Sequence, residues 1–260
     1  MKYTLITGAS SGIGYELAGV FAKHRHNLIL VARSADKLEG LKEEIVKNYQ
    51  VSVEVIPLDL AKTNSAEDLF TLVTEKKLDV DVLVNNAGVG DHGLFHRSKL
   101  SRNEEMINLN VLALTKLTHL FLPKMLENKN GKILNVASTA AFQAGPLMSV
   151  YYATKAFVLS FTEGLHEELR GTGVSVTALC PGPTQSGFQA AAQISDVPLV
   201  DSMKIPTSKE VAEYGYQALM KKKVIAVHGV VNSMVAKSVG FFPRALTRKM
   251  VMKLQSKRNK

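Results

Sequence analysis

Seven short apolar runs recur along the chain with helix-like segments between most of them, and this alternation constrains the fold more than any other feature. They are YTLI (residues 3–6), NLILVA (27–32), VSVEVIPL (51–58), DVLVNN (81–86), GKILNVAS (131–138), GVSVTALC (173–180) and KVIAVH (223–228). Their length and their Val, Ile and Leu content read as buried strands. ADKLEGLKEEIVKNY, SAEDLFTLVTEKK, RNEEMINLNVLALTKLTHLFLPKMLEN, YYATKAFVLSFTEGLHEELR and SKEVAEYGYQALMKK read as helices. Such alternation gives a parallel sheet covered on both faces and joined by right-handed crossovers. We therefore expect an α/β protein, a doubly wound seven-stranded parallel sheet. Ligands bind such sheets beyond the carboxyl ends of the strands, where strand order reverses. Residues just after strands therefore carry the functional information.

The 260 residues, 46% of them hydrophobic, suffice for one large core, and no linker, repeat or low-complexity tract divides them. A single cysteine, Cys180, argues against a disulfide framework and fits a reducing compartment. Its place in VTALCPG marks a buried strand end and an inert thiol. MKYTLITG enters the fold at once and leaves no room for a signal peptide. No apolar stretch reaches the ~20 residues that span a bilayer. The expected location is the cytoplasm.

The first strand runs into TGASSGIG, and Tyr15, Leu17, Ala18, Phe21 and Ala22 supply the apolar face of a following helix. In this strand–turn–helix opening Gly8 permits the tight turn, Gly12 lets backbone approach a phosphate, and Gly14 allows close helix-to-strand packing. The helix N-terminus would then face an anion. The spacing is G-x-x-x-G-x-G, distinct from G-x-G-x-x-G. On these residues alone, a nucleotide cradle is favoured over a loop that only turns the chain.

The second strand ends in Ala32, Arg33 and Ser34, with no carboxylate before Asp36. An acidic residue at that place binds the ribose 2′-hydroxyl of NAD, whereas Arg accommodates the 2′-phosphate of NADP. NADP(H) is therefore expected over NAD(H), the alternative being an ordinary surface Arg33 beside an N-capping Ser34. Asp59 follows the third strand and NNAG (85–88) the fourth; either sequence also suits a plain turn.

Tyr151 and Lys155 stand four apart on one helical face. A free phenol titrates near ~10, and a neighbouring ammonium favours the phenolate, making Tyr151 a workable general acid or base. Ser138, closing the fifth strand, can donate a hydrogen bond to the same substrate oxygen. Tyr152, three residues from Lys155, is a rival for the acid role.

TGASSGIG, NNAG, Asn110 in INLNVLA, Ser138, YYATK and PGPTQS occur in an order and spacing that resemble the short-chain dehydrogenase/reductase family, from Tyr3 to about Val227. The resemblance implies a single Rossmann-type domain that interconverts alcohols and carbonyls with NAD(H) or NADP(H). It assigns the proton donor to Tyr151, thirteen residues after Ser138, over Tyr152. Lys155 matches the lysine that binds the nicotinamide ribose and lowers the tyrosine pKa. Ser138 looks like the carbonyl-orienting hydroxyl and Asn110 like the residue holding a relay water. Gly8, Ser10, Ser11, Gly12, Ile13 and Gly14 match the pyrophosphate loop, and Asp59 resembles the adenine contact. Asn86, Ala87 and Gly88 resemble the adenosine-ribose side of the cleft. Within PGPTQS, which begins at Pro181 and Gly182, Thr184 replaces a common branched apolar residue and Ser186 a usual Thr at the nicotinamide carboxamide.

Residues 187–208 fall where the family has a substrate lid, and their apolar content suggests an apolar pocket for a small carbonyl or alcohol. Val89, His92, Phe142, Gln143 and Phe188 are candidate lining residues, though Phe142 suits plain packing equally. HGLFH (92–96) has metal-like spacing but lacks the Glu of H-E-x-x-H, and no metal is expected. The family's usual helical dimer faces imply a homodimer or homotetramer. A nucleotide sensor or membrane-peripheral scaffold on the same fold is the alternative to an enzyme.

The net charge of +9 is unevenly placed: residues 1–213 hold 21 basic and 23 acidic side chains, while residues 214–260 hold 11 basic and none acidic. We divide the chain into a domain of residues 1–239 and a basic helix or tail of 240–260. In the latter, Leu246, Met250 and Leu254 after Pro243 make an amphipathic helix. It either packs on the body or a sister subunit, or meets an anionic membrane or protein surface. Nucleic acid is not expected, since Phe241 and Phe242 are the segment's only aromatics and no recognition motif accompanies the charge.

Overall fold

The computed structural model describes residues 1–192 and 205–256. Its strands are β1 (Lys2–Thr7), β2 (Asn27–Ala32), β3 (Val53–Pro57), β4 (Asp79–Asn85), β5 (Gly131–Val136), β6 (Val174–Cys180) and β7 (Ile225–Val227). They pair in parallel throughout, in the order β3-β2-β1-β4-β5-β6-β7. Strand order therefore reverses between β1 and β4, and the crevice beyond their carboxyl ends is where a ligand is expected.

Period-two alternation divides the core into two layers. Ile6, Leu28, Leu30, Val84 and Leu134 point to one face, where Leu17 and Phe21 of α1 (Gly12–Lys23), Leu38 of α2 (Ala35–Asn48) and Leu219 cover them. Leu5, Ile29, Val31, Leu83 and Ile133 point to the other. There they meet Leu69 of α3 (Ser65–Glu75), Leu117 and Phe121 of α5 (Leu114–Glu127) and Leu165 of α6 (Ser149–Glu168). Each of these side chains is thus removed from water by a helix, which explains why the strands read as continuous apolar runs.

The long helical segment expected before β5 is interrupted. α4 (Leu100–Ile107) gives way to a π segment, Asn108–Ala113, before α5 begins. Such widened turns recur at functional sites, and this one holds Asn110. Buried amides fix the layer beneath. Asn85 Nδ2 donates to Thr118 Oγ1 at 3.1 Å and to Asn135 Oδ1 at 2.9 Å, and Asn135 Nδ2 donates to Thr162 Oγ1 at 2.9 Å. The chain of bonds locks β4, β5, α5 and α6 in one register.

After the short α7 (Phe188–Ala191) and α8 (Ser208–Met220), the chain adds α9 (Val230–Ser238), unforeseen in the sequence, and α10 (Arg244–Gln255). Pro243 caps α10 as expected, but the helix is turned differently. Val251 and Gln255 are its buried residues, while Leu246, Met250 and Leu254 stay exposed. A hydrogen bond from Gln255 into the body outweighs the apolar stripe in choosing the face. Among the described residues no helix is long and apolar enough to cross a membrane.

Candidate active site

The loop after β1 is tied to the segment after β4. Thr7 Oγ1 accepts the N–H groups of Asn86 and Ala87 at 3.0 Å each, and Asn86 Nδ2 donates to the carbonyls of Thr7 (2.9 Å) and Gly8 (3.2 Å). Gly8 has φ +67°, and a Cβ there would stand 2.9 Å from Ala87 Cα. A Cβ on Gly14 would overlap the Gly8 carbonyl oxygen. These contacts are possible only for glycine. Ser11 is the N-cap of α1, yet its side chain makes no capping bond, so its hydroxyl and the first N–H groups of the helix remain available.

A cavity of about 580 Å³ opens over this loop. Its wall includes Gly8, Ser10, Ser11, Gly12, Ile13, Arg33, Asp59, Asn86, Ala87 and Gly88, and also Ser138, Tyr151, Lys155, Pro181, Gly182, Thr184 and Ser186. Of the expected catalytic and cofactor-binding residues, Gly14 and Asn110 are not part of this wall. The glycine cradle, the open α1 terminus and the cavity's extent past the β1/β4 reversal fit a dinucleotide.

Several side chains in this wall also have partners within the protein. Asn86, in the wall, uses its amide Nδ2 to tie the loop after β1. Asp59 Oδ1 accepts the Ala61 N–H at 3.1 Å, closing its own turn. Arg33 has a side chain 64% exposed and lies 3.6 Å from Glu105, which also pairs with Arg102. Ser34 caps α2 without a side-chain bond, and Lys37, which the sequence reading missed, joins Arg33 and Ser34 in the wall. Its signal was present: Lys37 stands one helical turn after Ser34.

The reacting end is built by α6 and the segment after β5. Ser138 caps the 3₁₀ turn Thr139–Phe142, accepting the Ala140 N–H at 3.0 Å, and its hydroxyl stands close enough to Tyr151 to act on the phenol. Lys155, 5% exposed, donates from Nζ to the Val136 carbonyl at 2.8 Å, with Nζ 5.8 Å from the Tyr151 ring centroid. Tyr152 also lines the cavity, but its hydroxyl accepts Gln255 Nε2 at 2.8 Å. Of the two tyrosines, Tyr151 stands beside Ser138 and Lys155, whereas the Tyr152 hydroxyl is taken by Gln255.

Burial, rather than the lysine, governs the tyrosine. Desolvation pushes the Tyr151 phenol well above its ordinary value, opposed by the Ser138 hydrogen bond. The same desolvation lowers Lys155 to about 8. The expectation that Lys155 depresses the phenol is corrected for the protein alone: each group's charged form loses hydration in the same apolar pocket. Cys180 is pushed up to about 12 by burial, as befits an inert thiol.

Asn110 makes a tighter set of contacts than a water-holding role requires. Its Nδ2 donates to the Val89 carbonyl (2.9 Å) and Thr154 Oγ1 (3.0 Å), and its Oδ1 accepts the Val89 N–H at 2.9 Å. It therefore clamps the loop after β4 against α6. One Oδ1 lone pair remains, facing Gly88: a Cβ there would stand 3.2 Å from Oδ1 and 3.4 Å from Lys155 Nζ.

Val89 and Phe188 line the cavity as expected, Phe188 lying 5.3 Å from the Tyr151 ring between centroids. Met148 and Gln255 line it too, unforeseen. Phe142 and Gln143 do not; Phe142 packs instead beside Ala137, Val158 and Cys180. His92 lies outside the wall and engages the Gln255 carbonyl through Nε2 at 2.9 Å. In the expected lid, residues 193–204 lie outside the described residues. Its described ends are tied together by a Gln185–Thr207 bridge and by Ser208 Oγ donating to the Gln185 carbonyl at 2.8 Å.

A doubly wound parallel sheet with a glycine cradle at its strand-order reversal defines a dinucleotide-binding protein of Rossmann type. The chain belongs to the short-chain dehydrogenase/reductase family: residues 2–195 match the family model described as short chain dehydrogenase. It is 34% identical over 224 residues to the ketoacyl reductase HetN of Nostoc sp., covering 85% of this chain and 76% of that one. It is 35% identical over 186 residues to human very-long-chain 3-oxoacyl-CoA reductase, covering 69% of this chain but only 58% of the relative. Among solved structures, a Sphingobium yanoikuyae short-chain dehydrogenase in complex with NADPH superposes with TM-score 0.84 and 28% identity, covering 100% of this chain and 98% of that one. A Burkholderia phymatum family member in complex with NAD gives TM-score 0.81 and 25% identity, covering 95% of each chain. Membership supports nicotinamide-dependent oxidoreduction of a carbonyl or alcohol.

Proposed function

We propose that this chain is an NADP(H)-dependent reductase in which Tyr151 is the proton donor, acting on apolar carbonyl substrates with 3-oxoacyl thioesters as the first class to try. The observation that carries the reading is the convergence of Ser138, Tyr151 and Lys155 in one cavity with the glycine loop. The names of two relatives, a ketoacyl and a 3-oxoacyl-CoA reductase, support the substrate class. So does the apolar wall of Val89, Met148 and Phe188.

A bound nicotinamide dinucleotide supplies the hydride. The Ser10–Ile13 backbone and the α1 terminus would receive its pyrophosphate, and Arg33, Lys37 and Ser34 would receive a 2′-phosphate. Ser138 and Tyr151 hydrogen-bond the substrate oxygen and stabilise the charge that develops there. Tyr151 releases its proton to that oxygen, and Lys155 restores it with a water accepted at the free lone pair of Asn110. Phe188 over Tyr151 excludes bulk water. A sensor would not need a buried ammonium beside a buried phenol, so catalysis is favoured.

The test is binding of NADPH and NADH, followed by 340 nm oxidation with a panel of ketones, aldehydes and 3-oxoacyl thioesters. Preference for NADPH with 3-oxoacyl turnover is expected, and Arg33→Ala should weaken NADPH about tenfold or more while leaving NADH unchanged. NADH equal to or better than NADPH would overturn the cofactor assignment; tight binding without turnover across the panel would overturn the reductase.

Self-association follows from the exposed apolar side chains of the π segment, α4 and α6. Ile107 is 48%, Leu112 45% and Phe157 39% exposed. A dimer or tetramer by light scattering is expected, and a monomer at micromolar concentration would sink the idea.

A further inference from the structure

The C-terminal unit combines two features that a protein surface ordinarily avoids together. The first is exposed apolar surface. No residue of α9 is buried, and Val230 (78%), Val231 (62%), Met234 (66%) and Val235 (51%) are exposed on one helical face. The connection to α10 leaves Phe241 89% and Phe242 53% exposed. On α10 the exposed stripe Leu246, Met250 and Leu254 runs beside the buried one.

The second is charge without counter-charge. Residues 214–260 hold 11 basic side chains and no acidic ones. Among the described residues no carboxylate pairs with Lys237, Arg244, Arg248, Lys249 or Lys253. On α10, Lys249 and Lys253 follow the apolar stripe at one-turn spacing.

The helix is nevertheless fixed in place. Val251 and Gln255 are buried, the Gln255 amide donates to Tyr152, and the Gln255 carbonyl engages His92. α10 is thus a seated helix presenting an apolar flank and a basic flank outward.

We propose that α9, the Phe241–Phe242 connection and the outer side of α10 form a docking surface for an anionic lipid bilayer. Apolar side chains enter the headgroup boundary while Lys and Arg meet lipid phosphates and carboxylates. Charge complementarity selects this occupant. A second copy would set two uncompensated basic surfaces against each other, and an uncharged partner would leave the cations unanswered. Because Gln255 on the same helix lines the cavity that holds Tyr151, the docked face is mechanically continuous with the pocket wall. This proposal stands independently of the reductase assignment.

The experiment is sedimentation of the full chain with vesicles of phosphatidylcholine alone and of phosphatidylcholine mixed with phosphatidylserine. Binding to the mixed vesicles should exceed that to phosphatidylcholine by about tenfold or more at low salt, and collapse in about 1 M salt, where the Debye length is short. The double variants Phe241→Ser/Phe242→Ser and Lys249→Glu/Lys253→Glu should each lower it about tenfold. Thermal midpoint and NADPH affinity should stay unchanged, since all four residues lie outside the cavity wall. No pelleting with mixed vesicles, salt-insensitive pelleting, or loss of self-association in the Phe241→Ser/Phe242→Ser protein would overturn the proposal, the last in favour of a second copy.

Discussion

Replacing Tyr151 with Phe is expected to lower turnover by about a thousandfold, the middle of the range for a positioned general acid, and to leave NADPH affinity unchanged. The substitution removes one oxygen from a residue 9% exposed and keeps its ring against Phe188, so the fold is spared. Tyr152→Phe is the control, costing the Gln255 hydrogen bond in the same cavity wall but leaving the Tyr151 hydroxyl in place. The pH profile sharpens the test. Burial raises the Tyr151 phenol, so in the free protein it stays protonated throughout the neutral and mildly alkaline range. Lys155, lowered to about 8, is charged below that pH and neutral above it. A reaction that needs its charge must therefore lose kcat/KM for NADPH as pH rises through about 8. Lys155→Arg, whose guanidinium stays charged, should move that alkaline limb beyond pH ~10. Near-normal turnover in Tyr151→Phe, or an alkaline limb unmoved by Lys155→Arg, would contradict the assigned roles.

The sheet was legible because its signals are local. Each strand carries its own apolar run, each helix its own period, and the glycines announce backbone geometry that no other residue adopts. Positions after strands then mark the site without knowledge of the packing, which is why Ser138, Asp59 and the PGPTQS segment reach one cavity. What escaped depends on neighbours remote in sequence. Asn86 reads as a cleft residue and lines the cavity, but that its amide also ties Thr7 and Gly8, 79 and 78 residues away, is not visible in the sequence. The face of α10 is set by Gln255 bonding Tyr152, 103 residues distant, and no helical wheel shows that a Gln is the buried anchor. Phe142 turns into packing because the 3₁₀ turn after Ser138 aims it at Cys180 and Val158. The Tyr151 pKa escaped for the same reason. Spacing reveals the ammonium four residues on, while the desolvation that outweighs it comes from elements scattered across the chain.

Gly14→Ala is the second large effect, and it acts through one atom. The new methyl would collide with the Gly8 carbonyl oxygen and stand 2.5 Å from Asn86 Nδ2. Neither neighbour can yield cheaply: Gly8 is held at φ +67°, and Asn86 is fixed by two hydrogen bonds to the loop. α1 must therefore move away from β1, although Ala is the better helix former by about 1 kcal/mol. Overpacking of this kind costs about 1–3 kcal/mol, which in a chain of this size lowers the thermal midpoint by roughly 2–12 °C. The loss in cofactor binding should be larger, because the displaced helix start carries the N–H groups that receive the pyrophosphate. We expect NADPH affinity to fall by about a hundredfold or more, comparable to losing two charge-assisted hydrogen bonds. Gly19→Ala, in the same helix with nothing near its Cβ, should leave binding intact and the fold as stable or more so. If Gly14→Ala binds NADPH as well as Gly19→Ala does, the first turn of α1 is not where the pyrophosphate lies.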